Sequence, residues 1–148
     1  MVDHLVVYEV GILINGIPAV SKTYYDEAFT ELDEKLRTGL IAAIQGFANE
    51  AFKDEIDTVQ MRHFIITSVA NKTEDSVFTA FAIFDKKTKA QIIRKNLLTL
   101  LNRFLEKFPP SSTLDLDKDN FNEFLSSIDE VMKAIALKPE DKMRDIFG

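Results

Sequence analysis

The sequence predicts an α+β fold. The expected architecture is a single five-stranded antiparallel sheet in the order β-β-α-β-β-β-α-α, with one helix on one face and two on the other. Three observations predict it. Leu5–Ile14 and Val77–Phe84 are strand-like and apolar on both sides, so each needs cover above and below. Asn15-Gly16 joins two such segments as a tight hairpin, because both turn positions favour φ > 0. The apolar period then becomes helical over Glu31–Phe52, Thr88–Phe108 and Asp119–Ile135.

In the first arm, Val6, Tyr8, Val10, Ile12 and Ile14 are expected on one side. Leu5, Val7, Gly11 and Leu13 are expected on the other, with Glu9 as the polar exception. The second arm is Ile17–Tyr25, and the hairpin is expected to supply the middle of the sheet. Pro18 cannot donate to a ladder, so it belongs at a strand start or on an outward edge. Thr30 is the expected N-cap of the long helix, with Asp33 three residues on. Leu36, Leu40, Ala43 and Phe47 form its expected inner face. Gly39 and Gly46 flank that face, and each costs a helix about 1 kcal/mol relative to Ala. They predict close approach to the sheet.

Thr58–Met61 and His63–Val69 read as two strands with a short connection, or as one bent strand. Asn71–Asp75 is a turn. Ile93, Leu97, Leu100, Leu101, Phe104 and Phe108 make a broad face on the second helix, which Pro109-Pro110 stops. Phe121, Phe124, Ile128, Val131 and Ile135 line the last helix. Residues 1–137 are read as one domain and 138–148 as a short charged tail. The chain shows no internal repeat.

A length of 148 residues suits one domain with a real core. The net charge of −6 argues against non-specific nucleic-acid binding, which needs a basic face. With no Cys, disulfides, thiolate nucleophiles and Cys-ligated zinc are ruled out. No apolar run reaches the roughly 18–20 residues of a membrane span, and Met1–His4 lacks a basic leader. The expectation is a cytoplasmic protein with no cofactor and no direct membrane insertion.

Catalytic patterns do not assemble. Asp115-Leu116-Asp117-Lys118-Asp119 starts like an EF-hand loop, but Asn120 replaces the Gly and Ser126 the bidentate Glu. Acids at a helix N-terminus explain it more simply. The same explanation covers Asp26, Glu27, Glu31, Asp33 and Glu34. His4 and His63 lack a second ligand at metal-site spacing. There is no nucleophile elbow, phosphate loop or dinucleotide fingerprint. Lys86-Lys87-Thr88-Lys89 is a small basic patch whose simplest reading is a solvated loop. One face of the long helix is less bland. Ile41, Ala48 and Phe52, with Arg37 and Gln45 beside them, lie opposite the expected inner stripe and predict a partner-binding surface.

The element order resembles that of longin domains, a profilin-like family related to Roadblock domains. The likeness covers about residues 5–135. It is carried by Gly11-Ile12-Leu13-Ile14-Asn15-Gly16-Ile17-Pro18, by Leu36–Ile44 with Phe47, and by Phe81-Ala82-Ile83-Phe84-Asp85. The chain is also similar to longin-like and Roadblock-like proteins of archaea related to eukaryotes. The resemblance implies a non-enzymatic adaptor or regulatory subunit that binds a small GTPase, a SNARE-like segment or another longin or Roadblock subunit. It implies a role of vesicle-trafficking type and a homo- or heterodimer. Two departures narrow it. A downstream heptad segment is missing, so a longin SNARE is not expected, and the opening strand favours longin over Roadblock order. A small-ligand sensor of PAS or profilin-like type, with Phe lining a pocket between sheet and helix, is the alternative.

Overall fold

The computed structural model describes residues 7–24, 34–53, 57–110 and 118–133, with the backbone alone at 34–38 and 118–119. The expected order is observed. Strands β1 (Val7–Ile14) and β2 (Ile17–Thr23) form the hairpin, and helix α1 (Glu34–Phe52) follows. Then come β3 (Thr58–Gln60), β4 (Phe64–Lys72), β5 (Val77–Asp85) and helix α2 (Ala90–Lys107). A 3-10 helix, Lys118–Phe124, leads into α3 (Leu125–Met132), so the last helix is tighter in its first half than the periodicity predicted. The single sheet has the order β2-β1-β5-β4-β3 with every neighbour antiparallel. Leu5, Val6, Tyr25, Thr30, Asp33 and the tail lie outside the described residues.

Asn15 and Gly16 adopt φ of 51° and 81°, the conformation their sequence predicted. The Asn15 side-chain oxygen accepts from the Val77 backbone amide at 2.8 Å, and the Asn15 backbone amide donates to the Val77 carbonyl at 2.9 Å. The turn is thereby stitched to the start of β5. The hairpin as a whole is not central. Only β1 is interior, and β2, which carries Pro18, is an edge. The two-sided apolar strands β1 and β5 pair with each other, as their need for double cover required.

The two faces of β1 are not a simple alternation. The β1–β5 register slips between Val7 and Glu9, so Tyr8 is the extra residue of a bulge. Val7 consequently joins Val10 and Ile12 under α2 and α3, and Tyr8 packs on the α1 side with Phe64. Gly11 is required where it stands. A Cβ there would lie 2.7 Å from the Phe81 ring and 2.9 Å from the Ser21 Cβ.

The main core lies between the sheet and the last two helices. Phe78 and Phe84 from β5 meet Ile93, Leu97, Leu100, Leu101 and Phe104 from α2 and Phe124, Ile128 and Met132 from the last segment. Phe104, Phe108, Phe121 and Phe124 stack with centroids 5.1–6.5 Å apart. Asp129 of α3 pins the edge strand β2, accepting from Lys22 at 3.1 Å and from the Tyr24 hydroxyl at 3.0 Å. Burial, and then the Asp129 carboxylate, hold the Tyr24 hydroxyl well above its ordinary range.

Candidate functional site

On the other face a single helix, α1, covers the sheet. Among its described side chains Ile41 and Ala48 are buried, and Ile41 packs with Leu13, Ile66, Phe81 and Ile83, with Val59 and Phe64 at the margin. Gln45, on the same stripe, is half-buried and donates to the Ser68 hydroxyl of β4. Leu40, Ala43 and Phe47 face away, with Leu40 48% and Phe47 65% exposed. Over Leu40–Ala48 the expected inner and outer positions are thus exchanged.

The reason is visible in the sheet. Phe81 and Ile83 already fill its α1-facing side, so the helix approaches with its smaller side chains. Ala48 is buried, and the Ala42 Cβ lies 3.4 Å from where a Cβ on Gly16 would be. Gly39 and Gly46 do not serve close approach. Nothing lies within 4 Å of a Cβ placed on either, and both are exposed.

The anticipated partner-binding set therefore divides. Ile41 and Ala48 are core and are corrected as such. Gln45 is a structural tie to β4. The Arg37 side chain lies outside the described residues. Phe52 alone keeps its anticipated exposure, at 71%, and its ring meets Phe47 edge-on with centroids 6.1 Å apart. Among the described side chains, the exposed apolar residues of α1 are Leu40, Ala43, Phe47, Ala51 and Phe52. The sequence marks all of these but Ala51, but both stripes are apolar at helical spacing, so spacing alone does not tell that Leu40, Ala43 and Phe47 face outward.

Between α1 and the hairpin end of the sheet is an open cleft of about 220 Å³. Leu13, Ala42, Ala70 and Val77 give it apolar walls, and Gln45, Asn49 and Lys72 a polar rim. Beside it, β4 outruns its neighbour. β3 pairs only with Ile65–Thr67, and the Ser68 backbone is capped by the Asp57 carbonyl and the Arg94 guanidinium. Arg94 also pairs with the Asp57 carboxylate. The cleft is smaller than the roughly 300–1,000 Å³ of ordinary small-molecule sites, and no Phe lines it. The abundant Phe go mainly to the core: Phe78, Phe81, Phe84, Phe104, Phe108, Phe121 and Phe124 are buried.

Among the described residues no cluster of His, Asp and Glu could hold a metal ion. His63 is exposed rather than half-buried. Asp115–Asp117, His4 and Asp26–Asp33 lie outside the described residues. No described helix is long and apolar enough to cross a membrane. No protein-family profile matches the chain, and no curated protein sequence matches it either.

Proposed function

We propose that this chain is a non-enzymatic, cytoplasmic protein-binding module of longin type that engages its partner through the outer face of α1. The observation that supports the reading is the exposure of Leu40, Phe47 and Phe52 on one helix. Surface apolar residues are ordinary when scattered. Here two Phe rings touch each other, with Leu40 two turns before Phe47 along the same helix and the small, exposed Ala43 between them. The observed element order is the one on which the longin resemblance rests. That resemblance points to a small GTPase, a SNARE-like segment or a second longin or Roadblock subunit as partner, and to an adaptor role.

The test is a double charge substitution, Phe47→Asp with Phe52→Asp. Assembly measured by light scattering, or capture of a purified small GTPase or longin subunit, should be lost while the circular dichroism melt is kept. Unchanged assembly and capture would remove the outer face from the account.

A further inference from the structure

Among the described residues, the end of the sheet opposite the hairpin turn carries a cluster of positive charge within an acidic chain. Phe64 at the start of β4 pairs with Asp85 at the end of β5. That register sets the turn Met61-Arg62-His63 beside the turn Lys86-Lys87-Thr88-Lys89. Arg62, His63, Lys86, Lys87 and Lys89 are all exposed. Among the described residues none of the five forms an ion pair, whereas Lys22, Arg94, Arg103 and Lys107 each do.

The carboxylate in their midst, Asp85, is engaged by the Lys87 amide at 2.7 Å and the Tyr8 hydroxyl at 3.4 Å. Lys89 is the N-cap of α2, whose first turn holds no acidic residue, so the helix dipole adds to the same positive field. Met61 and Ile92, 45% and 37% exposed, add apolar side chains to the turn and to the first turn of α2. The described cleft is at the other end of the sheet.

We infer that this end docks on an anionic bilayer surface, with Arg62, Lys86, Lys87 and Lys89 meeting acidic lipid headgroups. The choice of occupant follows from charge and shape. A chain of net charge −6 approaches an anionic surface only by an end whose local sign is reversed. Side chains on two adjacent turns, mixed with exposed apolar ones, suit a headgroup layer. The outer face of α1 is left free, and the inference does not rest on the adaptor reading.

The experiment is co-sedimentation of the full chain with phosphatidylcholine vesicles, with and without phosphatidylserine. Binding is expected only where phosphatidylserine is present, and it should fall in molar salt as the screening length shrinks from about 8 Å to about 3 Å. Each cation near such a surface contributes about fivefold, so Lys86→Glu with Lys87→Glu should weaken binding at least about 25-fold. Both positions are exposed turn residues, and an unchanged melt verifies the fold. Lys107→Gln, at the far end of α2 and about 27 Å along the helix from Lys89, should leave binding within about twofold, since it lies well beyond a screening length of the basic end. The chain has no Trp, so Met61→Trp supplies a reporter whose emission should shift to the blue on phosphatidylserine vesicles. Equal binding to both vesicle types, no binding to either, indifference to the Lys86/Lys87 reversal, or an unshifted reporter in the bound state would each overturn the inference. Retention on polyglutamate beads without vesicle binding would overturn it in favour of an acidic protein partner.

Discussion

The two faces of the sheet are built to different standards. Under α2 and α3, aromatic and aliphatic side chains interlock from four strands and both helices, and Phe78, Phe84, Phe104 and Phe124 are wholly buried. Under α1, the buried set is Leu13, Ile41, Ile66, Phe81 and Ile83. The helix that contributes least to the described core also shows the largest exposed apolar residues and borders the cleft. A stable domain can carry one thinly attached helix because the opposite face supplies the packing, and that helix is then available for contact.

The sharpest test of this contrast is Phe104→Ala. It removes the ring at the centre of the four-Phe stack and should cost about 3–5 kcal/mol in urea unfolding. Ile41→Ala, the equivalent deletion under α1, should cost less, about 2 kcal/mol, at the low end for a buried Ile because it packs in the smaller of the two clusters. Equal costs would erase the difference between the faces.

Tyr24→Phe loosens the tie between β2 and α3 and should cost about 1 kcal/mol at neutral pH. The sign of its pH dependence follows from the raised hydroxyl. The fold favours neutral Tyr24, so its contribution is complete below about pH 10 and is lost as pH rises beyond that. The gap between wild type and Tyr24→Phe should therefore close in alkaline melts.

Much of the architecture was legible. The Asn15-Gly16 turn, the two-sided strands β1 and β5, and the α2 stripe from Ile93 to Phe104 each carry a local signal that only one structure satisfies. The bulge at Tyr8 was not legible, because a strand apolar on both sides offers no contrast to reveal a slip in register. The same ambiguity governed α1. Leu40/Ala43/Phe47 and Ile41/Ala48 are both apolar at helical spacing, and size suggested that Phe47 should be inside. What decided the matter was non-local: Phe81, lying over Gly11, already filled the sheet surface. The basic end was legible only in part. The lysine run is visible in the sequence, but Arg62 and His63 join it through the pairing of Phe64 with Asp85.

The smallest expected effect on stability belongs to the most consequential substitution. Phe47→Asp with Phe52→Asp changes exposed side chains and should shift the unfolding free energy by no more than about 0.5 kcal/mol per site. Measured on one preparation, urea unfolding and light scattering together test the account most directly. It predicts an unchanged unfolding midpoint with loss of self-association or of partner capture. A midpoint lowered as far as that of Ile41→Ala, or assembly identical to wild type, would contradict the claim that α1 holds the sheet through Ile41 and Ala48 and meets a partner through Phe47 and Phe52.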